Sequence, residues 1–148
     1  MSTATLNDLW PDDLEPSVTD PTPAAILRRQ GRLLGQKTGN AVYGEVRSTQ
    51  VGEGSTDLGR PNEFMHGFVL TSGYLRYARE ILFVRHGLQP YPAEFVALKP
   101  DGSRNRIQSV TVIDAKQLEA VLRETFARDE VKEVIRSLIV QSREADEE

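Results

Sequence analysis

Cysteine is absent from this 148-residue sequence, and histidine, methionine and tryptophan are scarce, with two, two and one residues respectively. The lack of cysteine excludes disulfide bonds, thiolate nucleophiles and metal sites built on thiolates. No apolar run approaches the ~20 residues that a membrane-spanning helix needs, so we expect no membrane association. The N-terminus also lacks a basic and then apolar leader, which makes the cytoplasm the expected location.

The composition that remains is typical of one soluble domain, with 39% hydrophobic and 27% charged residues. A chain of this size buries about 70% of the surface that its unfolded form exposes, so we expect neither a structural metal ion nor a cofactor. The order of patterns predicts an α+β fold. It consists of an N-terminal helix, about five mainly antiparallel strands and two C-terminal helices packed on the sheet.

The first helix has clear start and stop signals in the sequence. Thr22 is a suitable N-cap, Pro23 suits the first helical position, and Gly39 is a natural stop. Gly31 and Gly35 lie one turn apart within this helix, and each costs ~1 kcal/mol relative to alanine. A strand or another helix must therefore pack closely there, or else a second copy of the chain, which would make a homodimer.

Alternating patterns predict strands at 41–48, 63–71, 78–86, 92–99 and 106–113. The third of these contains four consecutive apolar residues, Ile81 to Val84, so we expect it to be an interior strand with Leu82 and Phe83 buried on opposite faces. The glycine-rich connection Thr49–Asn62 is long for a hairpin and is predicted to be the most mobile internal segment. Two apolar stripes of different phase then predict two helices, one capped by Asp114 and one by Asp129.

Charge divides the chain into three parts. Residues 1–22 carry five acidic and no basic residues, and residues 144–148 carry four acidic and no basic residues. Residues 23–143 therefore hold all 18 basic residues against 13 acidic ones, a net charge of +5. We expect a disordered acidic tail at 1–22, one α+β domain at 23–143 and a disordered acidic C-terminus at 144–148.

The N-terminal tail carries large apolar residues among its acids, at near-helical spacing: Leu6, Leu9, Trp10 and Leu14. Such a segment commonly docks on a surface, because water is a poor environment for a tryptophan and three leucines. The sequence leaves three alternatives open: docking on the chain's own basic domain, binding to a groove of a protein partner, or no role.

Arginine makes up 14 of the 18 basic residues, and five arginines near strand ends form the second candidate site: Arg76, Arg79, Arg85, Arg104 and Arg106. Arg79 and Arg85 have the same strand parity, so we expect both on one face of the sheet. Such a cluster is either a set of solvated strand ends or a site for an anionic partner such as a nucleic-acid backbone, a nucleotide or an acidic peptide.

The two histidines, His66 and His86, do not predict a catalytic or metal site. A hairpin centred on Gly73 places His66 opposite residues 80–82 and therefore roughly 13 Å from His86, at ~3.3 Å per residue. Residues 81–87, which end in Arg85, His86 and Gly87, resemble the start of the histidine phosphatases related to phosphoglycerate mutase. That family needs a second histidine later in the chain, and none follows His86.

Taken together, these patterns favour a non-enzymatic adaptor or regulatory protein. It would bind a protein partner through its acidic, tryptophan-containing tail and a basic sheet edge. The alternative is a nucleic-acid-binding or nucleotide-binding module that uses the arginine cluster. An enzyme ranks third, because no pair of catalytic groups stands at an interpretable spacing.

Overall fold

The computed structural model describes residues 7–16, 20–50 and 63–146. The chain forms the α+β arrangement that the sequence predicts, and its elements follow in the order α1 (Pro23–Lys37), β1 (Tyr43–Gln50), β2 (Phe64–Ser72), β3 (Tyr77–His86), β4 (Ala93–Leu98), β5 (Arg106–Val112), α2 (Ala115–Phe126) and α3 (Asp129–Asp146). The predicted mobile loop overlaps β1 at its first two residues, and the rest of it, 51–62, lies outside the described residues.

The five strands form one antiparallel sheet in the order β1-β2-β3-β4-β5. Strand β3 lies at its centre, and Leu82 and Phe83 are 0% and 4% exposed. Leu82 belongs to the main core beneath the helices, whereas Phe83 packs with Val96 and Leu98 in a second cluster. The prediction of an interior strand buried on both faces is therefore confirmed. We refer below to the helix-covered face as the inner face and to the other as the outer face.

Helix α1 packs directly against the neighbouring strand β1. Its N-cap is Thr22, whose hydroxyl accepts a hydrogen bond from the Ala25 amide at 3.2 Å. A Cβ atom on Gly31 would lie 2.2 Å from the carbonyl oxygen of Gly44 in β1, so only glycine permits this approach. Because a strand of the same chain explains this glycine, the homodimer expected through Gly31 and Gly35 loses its basis.

The C-terminal helices are separated where the sequence predicts a break. Asp114 caps α2 and accepts from the amide of Gln117 at 2.8 Å. The carbonyl of Arg128 accepts from two amides of α3, so Arg128 occupies the position before this helix and Asp129 is its first residue. The expectation that Asp129 caps α3 was wrong by one residue. Its carboxylate still lies in the first turn, where the helix dipole favours negative charge.

A bulge in β3 changes which side chains face the helices. Val69 pairs with Glu80 and Phe68 pairs with Leu82, which leaves Ile81 as the extra residue. Side chains alternate between the two faces of a strand, so one inserted residue reverses the alternation beyond it. Ile81 and Leu82 accordingly both belong to the inner core.

The two acidic ends differ in the structure. Helix α3 includes residues 144–146, which the sequence assigns to a disordered C-terminus, and residues 147 and 148 lie outside the described residues. At the other end, residues 7–16 form neither helix nor strand. Among the described residues, none of the helices has the length and apolar character required to cross a bilayer.

Candidate functional site

The tail exposes its apolar side chains to water. Leu9, Trp10 and Leu14 are 90%, 72% and 61% exposed, and Leu6 lies outside the described residues. The amide of Trp10 donates to the carboxylate of Asp8 at 3.0 Å, a local turn that involves no part of the domain. The structure therefore leaves Leu9, Trp10 and Leu14 accessible and does not dock these three side chains on the domain.

The point where the tail leaves the domain is fixed by two hydrogen bonds. The hydroxyl of Tyr91 donates to the carbonyl of Pro21 at 2.8 Å, and the amide of Ala115 donates to the carboxylate of Asp20 at 3.3 Å. Burial raises the pKa of Tyr91 to about 12, and the negative charges of Asp20, Glu119 and Asp114 add to this effect. Tyr91 therefore remains a neutral donor. The tail joins the domain beside the N-termini of α1 and α2.

Three of the five arginines of the predicted anion site lie on or beside the outer face, among carboxylates. Arg85 pairs with Glu94, and Arg104 pairs with Glu80 at 2.7 Å. The guanidinium of Arg106 lies 5.9 Å from the centre of the Phe83 ring. These contacts cover the outer hydrophobic cluster and neutralise much of the positive charge on that face.

Glu94 is held in its ionised form by this arrangement. Burial alone would raise its pKa, but hydrogen bonds from Ser109 and Arg85 and the charges of Arg85 and Arg106 outweigh burial and lower it. The Ser109 hydroxyl donates to Glu94 at 2.9 Å. An anionic ligand at this face would have to compete with a carboxylate that already occupies Arg85.

The other two arginines lie on the inner side, at the opposite end of β3. The guanidinium of Arg79 lies 5.5 Å from the centre of the Tyr77 ring, and Arg76 precedes β3 in the turn with φ 53°. Both line a depression that also contains Glu130 and Glu133 of α3. The expectation that Arg79 and Arg85 share a face was wrong, because the bulge at Ile81 lies between them. The five arginines therefore do not form one patch.

The structure brings together two histidines that the sequence analysis separates. The Nε2 atoms of His66 and His86 lie 3.0 Å apart, not roughly 13 Å, and their rings are 5.1 Å apart. The turn between β2 and β3 is wider than assumed and the bulge adds one residue, so His66 pairs with Val84. His86 is two residues beyond Val84 and therefore lies on the same face. The sequence analysis missed this contact because it assumed a different pairing register between β2 and β3.

Hydrogen bonds determine which ring nitrogens of the histidine pair carry a hydrogen when both rings are neutral. Nδ1 of His86 lies 2.7 Å from the carbonyl of Gly87, which can only accept, so this nitrogen carries a hydrogen. Nε2 of His86 then accepts from Nε2–H of His66. Nδ1 of His66 in turn accepts from the Ser48 hydroxyl at 2.7 Å. The result is a continuous hydrogen-bonded chain from Ser48 to Gly87.

The environment of His66 opposes its protonation. The residue is only 8% exposed, and burial lowers its pKa to about 4, with further contributions from His86 and Arg28. A base this weak is poorly matched to general base catalysis near neutral pH. Within residues 7–16, 20–50 and 63–146, no three or more His, Cys, Asp or Glu side chains are placed to hold a metal ion. The pair is best described as a structural contact between β2 and β3.

Comparison of the chain with protein-family models, with curated proteins and with solved structures found no significant match.

Proposed function

We propose that this protein is a non-enzymatic adaptor or regulatory protein that binds a protein partner through its acidic N-terminal tail. The observation that carries the proposal is the exposure of Leu9, Trp10 and Leu14, which lie within ten residues and have no apolar cover in the part of the chain that the structure describes. Exposed apolar residues in a charged segment are typical of motifs that order when they bind.

The energetics support a partner with both an apolar and a basic surface. Burial of a large apolar side chain stabilises a complex by about 1.5–3 kcal/mol, so Leu9, Trp10 and Leu14 together supply about 4.5–9 kcal/mol. Ordering of the segment costs about 2–5 kcal/mol of this gain. Apolar burial alone therefore leaves only a small net gain in binding free energy. The tail also carries four carboxylates beside these residues, those of Asp8, Asp12, Asp13 and Glu15. Basic groups on the partner would attract these carboxylates and so increase the affinity.

The basic sheet edge has a supporting role in this proposal. Arg85 and Arg104 already pair with carboxylates of their own sheet. Arg104 is exposed, and an exposed ion pair exchanges at little energetic cost, so Arg104 is available to add electrostatic attraction. Arg85 and Glu94 are half-buried, so a ligand would have to displace Glu94 to reach Arg85, and both arginines are poor primary anchors. The tail is therefore the first element to test.

The test compares three forms of the full-length chain as bait in extracts of the source cell. One is unmodified, one is a serine variant with Leu9→Ser, Trp10→Ser and Leu14→Ser, and one is a charge variant with Asp12→Asn and Asp13→Asn. We expect the unmodified chain to retain a defined protein, the charge variant or high salt to lower the amount retained, and the serine variant to retain none.

Purified partner is then added to the unmodified chain while Trp10 fluorescence is measured. Trp10 is the only tryptophan of this chain, so the emission that is left after subtraction of the partner's own emission reports on the tail. A shift to shorter wavelength is expected on binding. Retention of the same protein by the serine variant would refute the proposal. A salt-sensitive interaction with oligonucleotides that is unaffected by the tail substitutions would instead favour nucleic-acid binding through the arginines.

A further inference from the structure

An open groove of about 800 Å³ runs between α1 and α2. It is lined by Ile26 and Leu33 of α1 and by Leu122 and Phe126 of α2, of which Ile26 and Leu122 are buried and Leu33 and Phe126 are half-buried. Its charged groups are three arginines, Arg29, Arg32 and Arg123, and one carboxylate, Glu119. All four charged side chains are exposed, so the groove combines an apolar floor with a mainly positive rim.

A second, more apolar cavity of about 360 Å³ adjoins this groove and shares Leu33 and Phe126 with it. Phe68 and Leu70 of the sheet and Ile135 of α3 also line this cavity, and Lys37 lies at its edge. A volume above about 300 Å³ is in the range of sites that enclose a bulky apolar group. The combined surface therefore offers one deep apolar position beside a shallower apolar groove with a basic rim.

This combination selects a particular class of ligand, an acidic peptide segment with several large apolar side chains. The N-terminal tail of this chain belongs to that class. Its residues 7–16 carry four acidic and no basic residues around Leu9, Trp10 and Leu14. The groove and cavity carry four basic residues and one acidic residue. The two surfaces are thus complementary in charge, and both have apolar centres.

We propose that the groove between α1 and α2 binds the acidic tail of a second copy of this chain. The inference rests on the proposed function, and it identifies the protein partner of the tail as a second copy of this chain. Within a single chain the tail leaves the domain at Pro21, which itself lines the groove, and yet Leu9, Trp10 and Leu14 remain exposed. A second copy supplies the same segment without the constraint of that attachment.

The contact joins the tail of one copy to the groove of another, so it can form twice between the same two copies. If two copies exchange tails reciprocally, the assembly closes as a dimer with two tail–groove contacts. The attachment of each tail then raises the effective concentration for the second contact. The acidic tails would also cover the arginine-rimmed grooves in the assembled form.

The test uses two full-length variants that each lose one half of the contact. The groove variant, Arg29→Glu with Arg123→Glu, keeps the tail and Trp10. The tail variant, Leu9→Ser with Trp10→Ser, keeps the groove and contains no tryptophan. A matched control, Lys116→Glu with Arg136→Glu, makes the same change of charge at exposed positions outside the groove. Circular dichroism of each variant checks that the fold is retained.

Sedimentation velocity of the unmodified chain is measured over a wide range of concentrations, together with Trp10 emission. We expect the mass to rise from 16.5 kDa towards twice that value while the emission shifts to shorter wavelength. An increase from about 0.01 M to about 1 M salt, which shortens the Debye length from ~30 Å to ~3 Å, should weaken the association. The groove variant should lower the association constant at least about tenfold, and the control should leave it within about twofold.

Mixing the two variants provides the decisive measurement. The groove variant alone should be monomeric with solvated Trp10 emission, and addition of the tryptophan-free tail variant should shift that emission. The proposal is overturned if the unmodified chain stays at 16.5 kDa at every concentration. A monomer with shifted emission would show docking on the chain's own groove. If the chain is monomeric and its Trp10 emission shifts only when another protein is added, this inference is overturned and the proposed function stands. If the Trp10 emission shifts with neither this chain nor another protein, both proposals are refuted.

Discussion

The burial of His66 makes the stability of this protein depend on pH in a defined window. Its pKa lies at about 4 in the folded chain, against an ordinary value of 6.5. The unfolded chain therefore binds more protons than the folded chain between these two values. The free energy of unfolding should fall as the pH decreases through this window, and the contribution of His66 is fully present only above pH 6.5.

The size of the effect follows from the difference in pKa. Each unit corresponds to about 1.4 kcal/mol, so the shift of His66 from 6.5 to about 4 represents about 3 kcal/mol when the pH reaches the lower value. Acidic side chains also titrate near the lower end of this window. A comparison with His66→Gln separates them, because that variant retains the carboxylates and removes the titrating ring.

The assay is urea-induced unfolding followed by far-UV circular dichroism at several pH values, since Trp10 lies in the tail and does not report on the core. We expect the unmodified chain to lose about 3 kcal/mol more than His66→Gln between about pH 7 and pH 4. His86→Gln should raise the pKa of His66, because the charge of His86 contributes to its lowering, and should therefore reduce the pH dependence. Parallel stability curves for the unmodified chain and His66→Gln would refute the reasoning.

Three further predictions concern the packing of the fold and use the same unfolding assay. Gly31→Ala should destabilise the domain by about 3 kcal/mol, because the new Cβ atom would lie 2.2 Å from the carbonyl oxygen of Gly44. The control Gln36→Ala, on the exposed side of α1, should change the stability by less than about 0.5 kcal/mol. Equal stabilities for these two variants would contradict the close packing of α1 on β1. Asp114→Ala removes the N-cap of α2 and should cost about 1 kcal/mol; no loss would mean that the cap contributes nothing. Leu82→Ala should cost about 2–5 kcal/mol as a fully buried truncation, and a smaller cost would contradict the central position of β3.

Local features of the sequence determined much of the fold. The start of α1 follows from Thr22 and Pro23, whose effects act within one turn of helix. The central position of β3 follows from its run of apolar residues, because only a strand covered on both faces can bury such a run. The lack of helix and strand in residues 7–16 also follows from composition, since an acidic segment with several prolines forms no core of its own, whereas the sequence left open whether the tail docks on the domain.

The relative positions of residues on different strands were decided only by the tertiary structure. Pairing of β2 with β3 depends on a wide turn and on the extra residue Ile81, and neither has a distinct local signal in the sequence. Since side chains alternate at every residue, a shift of one residue reverses the face of each side chain beyond it. The wide turn and the extra residue together bring His66 against His86, and the extra residue alone separates Arg79 from Arg85 and so divides the basic cluster that the sequence presents as one.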